Sequence, residues 1–188
     1  MPSWLRWAPN LHTRVDALDA SAAPHLAELH AVAFAGPWEE HEFERLLTQA
    51  IVHAHGLYVQ AAPTWGWFGA ALPGTAFLRG FLEGYFDTGR APLGFVLSRV
   101  VADEAEILTL ALHPDVRGRG LSSALLGQHL DALARRGVRK VHLEVEEGNR
   151  PALSLYGRHG FTRVGHRPGY YGRPGGERRG ALVLSADL

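Results

Sequence analysis

The sequence predicts a mixed α/β fold, with a single central sheet flanked by helices, and three observations carry that prediction. Alternating or apolar runs of strand length recur among segments whose apolar residues fall at helical spacing, the pattern of one layered α/β unit, not of a bundle or sandwich. The stretch "ILTLALHPDVRGRGLSSALL" passes from an apolar strand through a glycine-punctuated turn straight into an amphipathic helix. At 188 residues, 46% apolar and 20% charged, the chain is long enough for one domain, 1–188, to bury a core without covalent staples.

The elements follow in order. "TRVDAL" alternates enough for a first strand. "DASAAPHLAELHAVAFAG" reads as a helix capped by Asp19 or Ser21, with Leu26, Leu29, His30 and Ala33 on one face and Gly36-Pro37 as its stop. "WEEHEFERLLTQAIV" restarts a helix with acids in its first turn and Phe43, Leu46, Leu47 and Ala50 inward, and "GLYVQA" is the next strand. Residues 63–92 are rich in aromatics, glycine and proline. Phe77, Phe81 and Tyr85 repeat at helical spacing there, which fits a lid or packing insertion or, alternatively, a partner or membrane-surface contact.

The second half is more regular. "LGFVLSRVVADEAEILTLALHP" reads as two strands joined by a tight turn at Ala102-Asp103-Glu104. Leu121 to Arg136 is a helix with Leu121, Leu125, Leu126, Leu130 and Leu133 inward and Gly137 as its stop. "VRKVHLEVE" alternates, with Val141, Leu143 and Val145 on one face and His142, Glu144 and Glu146 on the other. "NRPALSLYGRHG" is a short helix opened by Asn149 with Pro151 in its first turn, and "FTRVGHRP" and "GALVLSADL" are closing strands.

Composition narrows the chemistry. The chain has no cysteine, hence no disulfide framework, no thiolate nucleophile and no cysteine zinc site, in keeping with a reducing cytoplasm. Formal net charge is zero, so global electrostatics give no reason to expect a DNA partner. Lys140 is the only lysine, a bias that genome composition explains. The arginines from Arg158 to Arg179 make the C-terminal end locally basic, either solvated surface or a phosphate contact. No run has the length of a signal-peptide core or of a transmembrane helix. His53 and His55 make a poor metal site, since the sequence offers no evident third ligand, and no metal is expected.

"RGRG" at 117–120 opens the helix at Leu121. A helix start presents unpaired N–H groups and partial positive charge, and glycines let that backbone approach an anion. The pattern is neither a Walker A loop nor a Rossmann fingerprint. Read as Arg117-Gly118-Arg119-Gly120-Leu121-Ser122, it resembles the R-x-x-G-x-G/A pyrophosphate loop of the GCN5-related N-acetyltransferase (GNAT) superfamily. With "LEV" at 143–145, "NRPALSLYGRHGF" at 149–161, "AFAGPWEEHEF" and "RPGYY", the chain resembles the RimI branch, the ribosomal-protein-alanine N-acetyltransferases. The resemblance is close over 93–188 and loose over 13–60, and the 63–92 insertion stands outside it.

That resemblance implies a GNAT fold with a splayed strand pair at an acetyl-CoA site, and a protein N-terminal peptide as acceptor, the N-terminal alanine of a small-subunit ribosomal protein. It implies that Leu110, Ala111 and Leu112 bond the pantetheine arm through their backbone. It places Arg117, Gly118, Arg119, Gly120, Leu121, Ser122 and Ser123 around the pyrophosphate, and Asn149 on the coenzyme arm. Glu144 matches the general base and Tyr156 the general acid, while Trp38, Tyr170 and Tyr171 are candidates for the acceptor side.

The chemistry agrees. An α-amine, with pKa about 7.7–8.0, is neutral in roughly one molecule in ten at pH 7, whereas a lysine near 10.4 is neutral in about one in two thousand. One carboxylate is therefore adequate for an N-terminal amine. Other readings stay open beside these. Glu146 or Glu147 is an alternative acid, Tyr156 an alternative core tyrosine, and Asn149 an N-cap in any case. A small-molecule acetyltransferase and a non-catalytic CoA-binding module are the alternative functions. Two departures from the family pattern matter: Ser122 stands where Gly or Ala is usual, and Gly180 where an acid is common.

Overall fold

A computed structural model gives the fold and describes residues 13–59, 91–172 and 178–188. Most of the aromatic insertion expected at 63–92 lies outside the described residues. Seven strands form one sheet: β1 Thr13–Ala17, β2 Val52–Val59, β3 Gly94–Val101, β4 Glu104–Leu112, β5 Lys140–Glu146, β6 Thr162–Gly172 and β7 Arg178–Asp187, in the order β1-β2-β3-β4-β5-β7-β6. Among the described residues four helices flank it: α1 Ala23–Ala33, α2 Glu40–Leu47, α3 Leu121–Arg135 and α4 Arg150–Arg158. This is the mixed α/β sheet that the strand and helix periodicities predict.

The helices take opposite faces of the sheet. Leu26, Leu29, Phe43 and Leu46 of α1 and α2 pack with Phe95, Leu97 and Ala111. Leu125, Leu126, Leu130 and Leu133 of α3, with Leu155 and Tyr156 of α4, pack with Val96, Ile107, Val141, Leu143 and Val145. Alternation along β3 and β5 divides those sets between the two faces. Leu26 and Phe43 are fully buried, and each contributes about 2 kcal/mol of hydrophobic stabilisation.

Every pair of neighbouring strands is antiparallel except β4 and β5, which run parallel. Their register covers Glu104↔Lys140 to Ile107↔Leu143 and no further, although β4 runs on to Leu112 and β5 to Glu146. On its other side β4 shifts register with β3, since Leu97 faces Thr109 while Ser98 faces Ile107, so that Leu108 is an inserted residue. A bulge bends its strand and disrupts the ladder locally. The two strands therefore part just where β4 bulges.

Boundaries differ from the sequence expectation in three places. The helix expected from Trp38 to Val52 ends at Leu47, because Thr48 Oγ1 and Gln49 Nε2 turn back onto the carbonyls of Glu44 and Arg45. Val52 to His55 instead join β2, paired with Arg99 to Val96 of β3, so pairing with an established strand overrides local helical spacing. In the first helix Asp19 caps a single 3₁₀ turn at Ala20–Ala22, and α1 proper begins at Ala23 with Pro24 in its first turn. β6 runs to Gly172, past the expected end at Pro168, through a register shift between Arg167 and Tyr171 where Gly169 holds φ at +63°.

Candidate active site

The loop from β4 to α3 has the backbone that its glycines require. Pro114–Val116 makes one 3₁₀ turn, and Arg117 Nε then donates to the carbonyl of Leu112 at 3.0 Å, tying the loop to the end of β4. Gly118 and Gly120 sit at φ +76° and +78°, where a Cβ costs roughly 1–2 kcal/mol. Gly120 is the N-cap of α3 and so supplies no side-chain cap. The first bonds of the helix come from Ser123 and Ala124, whose N–H groups donate to Gly120 O at 3.0 and 3.2 Å. The backbone N–H groups ahead of them are the ones a helix start directs at an anion.

Ser122 is the second residue of α3 and is not among the positive-φ residues. The strain that serine would carry in a left-handed position does not arise. Ser123 is engaged from outside the loop, its Oγ 2.8 Å from His159 Nε2. Leu110, Ala111 and Leu112 lie on the part of β4 whose register with β5 has ended, with Ala111 and Leu112 buried and Leu110 half-buried. That edge of β4 faces the gap between the two strands.

On the α1/α2 face at this gap lies a cavity of about 530 Å³. Its lining includes Glu144 of β5, Trp38, and Tyr170 of β6, three residues that the sequence proposes from separate segments. His30, Phe34, Glu42, Arg45, Arg99, Glu106 and Thr109 add to its polar and aromatic wall. Glu144 Oε1 is 2.9 Å from Arg167 Nη1, and the Arg167 guanidinium lies 5.6 Å from the centre of the Tyr170 ring. The alternative acids are held elsewhere. Glu146 pairs with Arg179 at 3.4 Å, and Glu147 accepts the Gly180 N–H at 2.9 Å with His166 at 3.2 Å. The Gly180 N–H and His166 hold the Glu147 carboxyl below the usual carboxylate range.

Gly180 has a packing reason as well. A Cβ there would collide with His166 Nε2 and press on the Glu147 carboxyl. A side chain at this point, such as the acid that the resembling family commonly carries, would displace the ends of the His166 and Glu147 side chains.

Of the cavity residues that the sequence does not single out as site candidates, His30 and Thr109 stand out. His30 is buried, its Nδ1 accepts the Trp38 N–H at 3.0 Å, and its ring stacks on Phe34 and Trp38 at 4.2 and 5.2 Å. Burial pushes its pKa down to about 4, so the imidazole is neutral and free to accept that bond. Its only sequence signal is a histidine on an apolar helical face. Thr109 Oγ1 is buried and has no hydrogen-bond partner among the described residues. It follows the bulge, a feature that local sequence does not announce.

The remaining candidates are placed differently. Tyr156 does not line this cavity. It is buried in the α3/α4 core, edge-on to Phe161 at 5.6 Å, so its ring packs as a core tyrosine. Asn149 caps α4, its Oδ1 accepting the Ala152 N–H at 3.2 Å. The Tyr171 backbone pairs with Arg179, and its side chain lies outside the described residues. His55 Nδ1 lies 2.7 Å from His129 Nδ1, and His129 Nε2 lies 2.7 Å from Ser98 Oγ, so His55 belongs to a buried side-chain chain. No group of three His, Asp or Glu residues among those described is arranged to hold a metal ion. No helix of the described residues is long and apolar enough to cross a membrane.

Comparison with known proteins agrees with this geometry. A [Ribosomal protein bS18]-alanine N-acetyltransferase of Haemophilus influenzae is 38% identical over 96 residues, 51% of this chain and 65% of that relative, so the match spans less than two thirds of the relative's length. The N-alpha-acetyltransferase RimI of Mycobacterium tuberculosis is 37% identical over 159 residues, 84% of this chain and 83% of that relative. The crystal structure of the Escherichia coli ribosomal-protein-S18-alanine N-acetyltransferase superposes with a TM-score of 0.73 at 26% identity, covering 94% of each chain. The model of the acetyltransferase (GNAT) family matches residues 23–161, which takes in the parted strands, the glycine loop and both flanking helices. The chain belongs to the acetyltransferase (GNAT) family.

Proposed function

We propose that this chain transfers the acetyl group of acetyl-CoA to a protein N-terminal α-amine, with the N-terminal alanine of a small-subunit ribosomal protein as the acceptor. One observation carries the reading. Glu144 stands in the cavity with Trp38 and Tyr170 where β4 and β5 part, a carboxylate oriented by Arg167 beside aromatic walls. The glycine loop on the same parted strand offers the uncapped start of α3 to a diphosphate.

Glu144 takes the proton from the acceptor amine, directly or through a water. The amine nitrogen bonds to the thioester carbonyl carbon, the carbon–sulfur bond breaks, and the sulfur leaves as a thiolate. The family resemblance assigns its reprotonation to Tyr156, which reaches the parted strands from the α3/α4 side and not from the cavity. An α-amine needs little help to lose its proton at pH 7, and one partly exposed carboxylate suffices. His30 holds the Trp38 backbone and ring in place on the acceptor side.

The test is acetyl transfer followed by mass spectrometry. One peptide carries the organism's own ribosomal N-terminus; a second has that amine blocked and an internal lysine free. Transfer to the free α-amine alone is the expected result. Transfer to neither peptide, with acetyl-CoA still bound, would sink the ribosomal acceptor and leave a small-molecule amine as the substrate to search for. Transfer to lysine alone would overturn the α-amine reading.

A further inference from the structure

His159 and Ser123 join two elements that the proposed reaction uses separately. Ser123 is in the first turn of α3, beside the glycine loop, while His159 is the C-cap of α4, the helix that carries Tyr156. His159 Nε2 and Ser123 Oγ are 2.8 Å apart, although 36 residues separate them in sequence. The ring lies against α3: Gly127, one turn beyond Ser123 on the same face, would bring a Cβ into ordinary contact with His159 Cε1, at 3.4 Å. The backbone N–H of His159 donates to Tyr156 O at 3.0 Å, so the end of α4 is itself held in place.

We propose that His159 is a positioning residue for coenzyme binding: its Nε2–H donates to Ser123 Oγ and leaves the serine hydroxyl hydrogen to point at the coenzyme diphosphate. The inference rests on the coenzyme site proposed above. A serine hydroxyl has one hydrogen to give, and if it were spent on the imidazole the phosphate would meet only lone pairs. With the imidazole as donor, the hydroxyl is polarised and becomes a better donor in turn. Burial and the charge of Arg158 hold the imidazole below its usual pKa, with Asp131 on α3 opposing, so the ring is neutral at pH 7 and carries a single N–H. The same bond ties the diphosphate loop to the helix of Tyr156.

The test is CoA affinity by calorimetry on the intact chain, with thermal melting run on each variant. H159Q places an amide near Nε2 and keeps the bond to Ser123, whereas the shorter H159N does not reach it. H159N and S123A are each expected to weaken CoA binding about tenfold, the double variant no more than either, and H159Q less than about threefold. If H159N lacks a cooperative melt, H159L takes its place in the cycle. Native-like affinity in H159N, additive losses in the double variant, or H159Q as weak as H159N would each overturn the role of His159. Failure of the native chain to bind CoA would instead overturn the coenzyme site, and this inference with it.

Discussion

Glu144 Oε1 and Arg167 Nη1 lie 2.9 Å apart, although β5 and β6 are not neighbours in the sheet. β7 lies between them, and the shifted register of β6 after Arg167 accompanies this crossing. Glu144 is 20% exposed and Arg167 59%, so the arginine orients the carboxylate from the wet side.

From this pair, Glu144→Gln is expected to lower kcat by about 10²- to 10⁴-fold with CoA affinity unchanged. Arg167→Gln is expected to cost about tenfold or less in kcat/KM, because water screens an exposed partner. Steady-state kinetics beside CoA calorimetry check both. A Glu144→Gln enzyme of native rate would remove Glu144 from the reaction.

Thr109→Val exchanges a buried hydroxyl that has no partner among the described residues for a methyl of similar shape. Stability is expected to stay the same or rise by about 1 kcal/mol, since no hydrogen bond is lost and a desolvation cost is removed. Urea denaturation decides, and a loss of more than 1 kcal/mol would mean that the hydroxyl is bonded in solution.

Acid should destabilise the fold well above the carboxylate range. Burial holds His30 down to about 4 and His129 down to about 3, so both are neutral in the native state while their unfolded counterparts titrate near 6.5. Below pH 6.5 the unfolded chain binds protons that the native chain refuses, and stability falls by about 1.4 kcal/mol per pH unit for each group. For these two, the loss from well above pH 6.5 down to pH 5 is about 4 kcal/mol, with His53, His55 and His113 displaced in the same direction. Urea curves at pH 7.5 and 5 measure it. A flat profile would show that these imidazoles take up protons without unfolding.

Ala102 opens the turn between β3 and β4 with φ at +56°, a left-handed position. Ala102→Gly is expected to stabilise the chain by up to about 1 kcal/mol through relief of that strain. Thermal melting reads it, and a lower Tm would show that the added freedom of glycine in the unfolded chain outweighs the relief.

Much of the molecule was legible in the sequence, and for local reasons. The alternation in "VHLEVE" assigns Glu144 the face opposite Val141, Leu143 and Val145; those three do share a face, and the structure buries it against α3 and α4. Gly118 and Gly120 mark positions that only a residue without Cβ occupies freely, and the structure finds both at positive φ. Asn149 caps its helix because its side chain reaches an N–H three residues on. Such features depend on neighbours along the chain, so the residues themselves settle them.

The end of α2 and the start of β2 depart from the local pattern for the opposite reason: strand pairing, not local spacing, decides Val52 to His55. The meetings of Glu144 with Arg167, His30 with Trp38, His55 with His129 and Ser123 with His159 were likewise invisible. Each depends on which strands are neighbours, where β4 bulges and how the helices lie on the sheet. The sequence by itself determined the order of elements, the glycine loop and the family to which they point. Only the tertiary structure decided that Glu144 shares a cavity with Trp38 and Tyr170 while Tyr156 packs in the opposite core, because side-chain partners distant in sequence are chosen by sheet order and register.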